Sequence, residues 1–294
     1  MEPLMMGDPK MELKKITAQD LLMKKQQDKK IVRVVCYDYP MALLADRAGV
    51  DSILVGDSVG MVVGGMTSTV PVTMEQMIYH CQIVMRAVKY ALVVGDLPFL
   101  SYQTDMREAI YNAGLLMKNG GVDAVKLEGG KEFAPTVKAI VDAGIPVMGH
   151  IGLTPQTVSK LGGFKVQGTD TATARKLVED ALALESAGIF MLTLECVPDR
   201  LAEFICKKIK IPATGIGSGP YTDGQTLNLY DMVGLFDKFT PKFVKKYANL
   251  SQEIMKALQN FKNDVEKGVL PGPEHSFHIK DEVFKEVLEE KGTE

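Results

Sequence analysis

Two hydrophobic rhythms alternate along the chain. Short apolar, β-branched runs stand at 31–38 (IVRVVCYD), 51–57 (DSILVGD), 91–98 (ALVVGDLP), 122–129 (VDAVKLEG), 145–152 (IPVMGHIG), 190–197 (FMLTLECV) and 211–218 (IPATGIGS). Between them, apolar residues recur at helical spacing. A helix predicted from Thr73 opens on T-x-x-Q, the pattern of a capping box. It places Met77, Cys81, Val84, Met85 and Val88 on one face. Residues 104–120 and 173–188 also read as helices, each ending on a glycine before the next strand. Residues 15–29 read as a helix ahead of the first strand, closing the bottom of a barrel, and 251–268 as a late outer helix.

Continuous apolar strands alternating with amphipathic helices predict parallel strands covered by helices. Seven strands are clear, and an eighth is predicted near 226–234, where Asn228 and Asp231 dilute the pattern. Eight such units make an α/β protein of the (β/α)8 TIM barrel class, here with an extra N-terminal helix. A doubly wound open sheet is the rival. It is disfavoured because no G-x-G-x-x-G follows the first strand. The 294 residues suit a single barrel domain, with 1–11 as a loose tail and 280–294 as a C-terminal tail or helix.

Composition narrows the function classes. Apolar residues make up 46% of the chain and charged residues 24%, enough to bury a full core. A net charge of −3, with no basic stripe among aromatics, gives no footing for nucleic acid. No apolar run approaches the length of a membrane span, and the first residues lack a signal-peptide pattern, so a cytoplasmic protein is expected. Cys36, Cys81, Cys196 and Cys206 form no CxxC pair and read as buried free thiols in a reducing compartment.

The polar residues gather where the strands end, which in this fold is the face that carries the chemistry. Asp38, Asp57 with Ser58, Asp96, Lys126 with Glu128, His150, Glu195 and Ser218 all stand there. Six of the seven clear strands finish on an ionisable residue, more than a barrel would place there by chance. In Val125-Lys126-Leu127-Glu128 the strand period turns Lys126 and Glu128 to one side and the apolar pair to the other. A structural ion pair and a place in the barrel mouth are both open for them. Asp57 also suits a turn or a cap, and Asp96 a solvated strand end before Pro98. Taken together, Asp57, Asp96 and Glu128 offer carboxylate oxygens without sulfur, a set that suits a hard cation such as Mg2+. Such an ion leaves positions for a 2-oxo acid to chelate. His150 reads either as a hydrogen-bonded interior residue or as a contact to substrate oxygen. Glu195 sits among apolar neighbours in LTLECVP, a setting that suits a proton-transferring carboxyl. The residues alone reach metal-assisted enolisation, with carbon–carbon bond formation or cleavage.

Ten strings, in order from about Ile16 to His278, carry a resemblance. They include VGDSVGMVV, TVPVTMEQMIYH, GDLPF, VKLEGG, GHIGLTPQ, GGFKVQG, LECVP and PGPEHSFH. The chain resembles the ketopantoate hydroxymethyltransferase family. The resemblance implies a Mg2+-binding barrel that takes a one-carbon unit from 5,10-methylenetetrahydrofolate. The implied acceptor is 3-methyl-2-oxobutanoate and the product 2-dehydropantoate, on the route to pantothenate and coenzyme A. It implies Asp57 and Asp96 as metal ligands, joined by Glu128, with Asp57 and Asp96 also lining the substrate site. It implies Ser58, Lys126 and His150 as contacts to the 2-oxo acid and Glu195 as the base. A homo-oligomer, often a decamer, is implied as well. One string departs: where relatives carry His or Tyr followed by Asp or Asn, this chain reads Gly65-Met66-Thr67. The stretch 59–72 is expected to be a loop that covers the mouth. Two other functions stay in view: a Mg2+-dependent lyase or mutase of another 2-oxo acid, and a barrel that binds a metabolite without catalysis.

Overall fold

In a computed structural model that describes residues 14–289, eight strands run parallel. They are β1 (Ile31–Val35), β2 (Ser52–Val55), β3 (Leu92–Asp96), β4 (Ala124–Glu128), β5 (Val147–Gly152), β6 (Met191–Glu195), β7 (Ala213–Ile216) and β8 (Gly224–Asn228). Each strand pairs with the next, and β8 pairs with β1, so the sheet closes into the expected (β/α)8 barrel. Every residue of β2, β3 and β4 is buried, which is why these strands read as unbroken apolar runs. Helices 39–47, 134–142 and 199–208 complete the alternation with those predicted.

Local chemistry sets the helix starts. Thr73 and Gln76 form the predicted capping box: the Thr73 hydroxyl accepts from Gln76 N and the Gln76 amide oxygen from Thr73 N. Asp105 and Asp170 cap the next two long helices, which run from Met106 and Thr171. The N-terminal helix, Ala18–Gln26, lies at the bottom of the barrel. Its Lys25 ammonium donates to the carbonyls of Cys206, Ile209 and Ile211, just ahead of β7, and its Leu21 is fully buried.

Two elements differ from the sequence pattern. The eighth strand ends earlier than predicted, because the Asn228 side chain accepts from Tyr230 N and starts a helical turn, Leu229–Met232. The stretch 59–72 opens with another helical turn, Val59–Val62, rather than irregular loop. Gly60 lets that turn close on the chain that follows it: a Cβ there would lie 2.5 Å from the Val72 side chain.

The floor of the barrel holds a buried cation. Arg33 on β1 is 1% exposed. Its guanidinium donates to the hydroxyls of Thr226 (2.9 Å) and Thr193 (2.7 Å) and faces the sulfur of Met148. Burial pushes the guanidinium down to about 9, against the pull of Glu195 and Asp96.

The described residues fall into two compact units, one ending at Lys246 and one beginning at Tyr247. The barrel is the first. The second holds the helices Leu250–Glu266 and Asp281–Glu289. Of the expected C-terminal segment, 281–289 is helical; the expected tail 1–11 lies outside the described residues. Among the described residues no helix is long and apolar enough to cross a membrane. The four cysteines are free, with Cys36, Cys81 and Cys206 buried and Cys196 half-buried.

Candidate active site

Strand register brings the predicted residues together at the carboxyl ends. Asp96 on β3 is paired with Lys126 on β4, Glu128 with His150 on β5, and Gly152 with Glu195 on β6. The Lys126 ammonium lies 3.0 Å from Asp96 Oδ2, 3.2 Å from Glu128 Oε1 and 3.2 Å from His150 Nδ1. His150 Nε2 lies 3.2 Å from Glu195 Oε2, though not in hydrogen-bonding alignment. Asp57 joins from β2, its backbone N–H donating to Asp96 Oδ2 at 3.1 Å. Asp57, Asp96, Lys126, Glu128 and His150 are each at most 3% exposed, and the Glu195 side chain is 15% exposed.

Ser58 is reached by a different route. Asn228 Nδ2 donates to the Tyr37 hydroxyl at 2.7 Å, since Asn228 Oδ1 is held by Tyr230 N. The Tyr37 hydroxyl and Ser58 Oγ lie 2.7 Å apart, and either can be the donor. With Tyr37 donating, the Ser58 proton is free for a ligand oxygen.

Burial and like charge set the protonation of this cluster. Burial pushes the Asp57 carboxyl well above the usual range, and Asp96 and Glu128 push it further. Burial also raises Asp96. Burial acts on Glu128 in the same direction. There the Lys126 ammonium, His150 and the Gln156 N–H overcome it and hold the carboxyl at about 2. Burial and Lys126 press His150 down, but Glu128 and Glu195 win and raise it above 6.5. In the imidazolium, and in the neutral tautomer whose Nδ1 accepts from Lys126, Nε2 carries a proton facing Glu195.

The Glu195 end is built by a close backbone approach. Gly152, at a φ of 97°, leaves no room for a side chain, because a Cβ would lie 2.2 Å from the Glu195 carbonyl oxygen. Cys196 follows at a left-handed φ of 49°, a strained setting for a non-glycine residue. Its N–H donates to Ile216 O and its carbonyl accepts from Gln167 N, which fix the turn beneath Glu195.

The charge balance of the site leaves room for a cation. Asp57, Asp96, Glu128 and Glu195 outnumber the fixed positive charge of Lys126, and Asp96 Oδ1 is buried with no hydrogen-bond partner. The expectation of three carboxylate ligands takes a different shape, however. Lys126 stands between Asp96 and Glu128, and Glu128 Oε2 accepts from Gln156 N at 3.0 Å. Among the described residues no group of three or more His, Cys, Asp or Glu side chains could hold a metal ion. Asp57 and Asp96 remain the pair with oxygens to offer.

Gln156 and Tyr102 belong to this site and were not singled out by the sequence. Gln156 lies in GHIGLTPQ, which marked the string but not the residue's contact with Asp57. Asp38 and Ser218, also at strand ends, are spent on the local backbone and, for Asp38, on the Tyr230 hydroxyl as well. Asp38 caps the helix Tyr39–Arg47, and the Ser218 hydroxyl donates to Leu194 O and accepts from Val197 N.

Comparison with known proteins gives the family. Residues 15–273 match the family model described as ketopantoate hydroxymethyltransferase. A 3-methyl-2-oxobutanoate hydroxymethyltransferase from Moorella thermoacetica is 57% identical over 263 residues, spanning 90% of this chain and 98% of that protein. One from Syntrophomonas wolfei is 55% identical over 270 residues, spanning 92% and 98%. Among solved structures, a phosphonopyruvate hydrolase complex with oxalate and Mg2+ has a TM-score of 0.57 at 13% identity, covering 94% of this chain and 95% of that one. That likeness is one of fold. The match over most of the chain, and the identity to its members, show that the chain is an enzyme of the ketopantoate hydroxymethyltransferase family.

Proposed function

We propose that the protein moves a hydroxymethyl group from 5,10-methylenetetrahydrofolate to 3-methyl-2-oxobutanoate and so makes 2-dehydropantoate for pantothenate and coenzyme A synthesis. One observation carries the reading: Asp96 Oδ1 is buried and unpartnered beside Asp57, in a mouth with more carboxylates than cations. Asp57 and Asp96 would hold Mg2+, with Glu128 behind them as the acceptor that fixes Lys126 and His150. A divalent ion held there supplies positive charge to the carboxylate and keto oxygens of a 2-oxo acid. A phosphonopyruvate hydrolase of similar fold is solved as a complex with oxalate and Mg2+, which supports a divalent ion beside a small oxo acid or diacid on this fold.

The chain's own groups supply the remaining chemistry. Ser58 donates a hydrogen bond to the oxo acid's carboxylate. Lys126 adds positive charge beneath the oxygen that becomes negative as the enol forms. Glu195, the most exposed of the acids, takes the proton from carbon 3, with His150 Nε2 3.2 Å from its carboxylate. Carbon 3 then bonds to the donor's methylene carbon, and both carbon–nitrogen bonds that hold that carbon in the folate break. Water supplies the new hydroxyl, and the proton taken from carbon 3 and one from the water go to the two folate nitrogens. The stretch 59–72 would cover the mouth while the donor is bound. The proposal includes a homo-oligomer in the cytoplasm, a decamer by the family resemblance; a monomer mass by light scattering would remove that part.

The test is an assay with 3-methyl-2-oxobutanoate, Mg2+ and the folate donor. The reading predicts 2-dehydropantoate with the donor, and deuterium exchange at carbon 3 without it. Exchange without product would favour a lyase or mutase of another 2-oxo acid. Neither exchange nor product, under conditions that support a relative, would defeat the reading.

A further inference from the structure

Gln156 lies in a 3-10 turn, Pro155–Thr157, and is 3% exposed. A buried amide must find hydrogen-bond partners, and here the side chain reaches one site carboxylate and the backbone N–H another. Gln156 Nε2 donates to Asp57 Oδ2 at 2.9 Å and to Leu97 O at 2.9 Å. Its Oε1 accepts from the Tyr102 hydroxyl at 2.8 Å, a proton shared with Glu128 O at 2.9 Å, and from Gln103 Nε2 at 3.3 Å. Its backbone N–H donates to Glu128 Oε2 at 3.0 Å. Every position of the amide is filled. The orientation is also forced, because Leu97 offers a carbonyl, which only an N–H can meet. The second amide proton must therefore point at Asp57.

We infer that Gln156 is a positioning residue for the divalent ion: by claiming Asp57 Oδ2 it turns the other Asp57 oxygen toward the ion, and Tyr102 locks the amide in that sense. The inference rests on the metal of the proposed function and assigns the residue that aims its ligand. The same turn grips Glu128 through the backbone, so one peptide ties the metal-holding acid to the acid that fixes Lys126. Partners that orient a metal ligand in this way change affinity about 10–100-fold when removed.

The experiment measures Mn2+ alone, by the electron paramagnetic resonance signal of the free ion, against the full-length wild type, Gln156→Met and Tyr102→Phe. Each titration is run well below the variant's own melting temperature. Gln156→Met keeps the length of the side chain and removes both donors; its Kd for Mn2+ is expected to rise at least about tenfold. Tyr102→Phe leaves the amide present but unlocked and is expected to raise Kd about threefold, a smaller share of the same effect. Kd values within twofold of wild type in both variants would overturn the inference, whatever happens to their melting temperatures, because a packing role moves stability and not ion affinity. If Gln156→Met does not fold, Tyr102→Phe decides alone: an unchanged Kd overturns, a raised one supports. A wild type that takes up no Mn2+ would sink both the ion and its positioning residue, whereas intact binding in every variant sinks the second only.

Discussion

The two arcs of the barrel mouth are made from similar positions and do different things. From β2 to β6 the strand ends carry Asp57, Asp96, Lys126, Glu128, His150 and Glu195, and these groups face one another. From β7 through β8 to β1 the corresponding ends carry Ser218, Asn228 and Asp38, and these are spent on the backbone or on a relay to Ser58. The difference is in what the chain does next. Asp38 is followed by Tyr39-Pro40, the start of a helix that needs its first N–H groups capped, and the Asp38 carboxylate accepts from Met41 N at 2.9 Å. Asp57 is followed by a short turn in which it caps nothing, so its carboxylate stays available. A strand end is a permissive address; a carboxylate becomes chemistry only where no local backbone group consumes it.

Lys126→Met should break the charged arc most completely. It removes the cation between three buried carboxylates, and turnover is expected to fall about 10^3-fold. The fold should lose about 3–5 kcal/mol at neutral pH, because the buried charges it balanced remain. The pH dependence tests the cause. Glu128 has a folded pKa of about 2, below its ordinary 4.5. A depressed carboxyl contributes stability that is complete above pH 4.5 and lost as the pH falls toward 2. The stability gap between wild type and Lys126→Met, followed by urea unfolding, should therefore narrow across that window; a constant gap would show that Lys126 does not hold Glu128. Next in size, Glu195→Gln should lower turnover about 10^2-fold while Mn2+ and oxo acid binding persist. Wild-type turnover in this variant would move the base elsewhere in the arc.

The neutral arc has a charged floor, and there the expected effect changes sign. Arg33 is buried against two threonine hydroxyls and methionine sulfur, with no carboxylate among its hydrogen-bond partners. Burial disfavours its charge, pulling it from 12.5 to about 9. Its charge therefore costs stability at neutral pH. Arg33→Met, close in length and apolar, should raise stability by about 1–3 kcal/mol, or several degrees in melting temperature. A fall in melting temperature would mean that the bonds to Thr193 and Thr226 outweigh the desolvation of the guanidinium.

The barrel was legible because its rhythm is generated by burial: a strand buried on both faces must be apolar throughout, and β2 to β4 are. The eighth strand was placed late for a physical reason. Gly224 is required there, since a Cβ would lie 2.2 Å from Ile31 O, and Gln225 is exposed, so the strand's first half looks like a turn. The positions of the charged residues were legible because alternation within a strand and the carboxyl-end rule place side chains without long-range information. Gln156 was not, because its partner Asp57 is 99 residues away and its location in a turn says nothing of that contact. Asp38 carried a readable sign, the D-Y-P of a capped helix start, which strand-end reasoning alone does not weigh.

Asp38→Ala should therefore have the smallest effect on chemistry. It leaves Met41 N without its cap, at about 1 kcal/mol, and frees the Tyr230 hydroxyl that donates to Asp38 Oδ2. Melting temperature should fall by about 2–4 °C, with turnover within about twofold of wild type, a margin far below that of removing one catalytic hydrogen bond. Asp38→Asn provides the control, since asparagine caps a helix as well as aspartate; it should recover most of the lost stability. The two outcomes separate a cap from a ligand. A capping role is restored by asparagine, whereas a role that needs negative charge is not. If both variants lost turnover as Lys126→Met does, the charged arc would extend through β1, and local capping would no longer distinguish the two halves of the mouth.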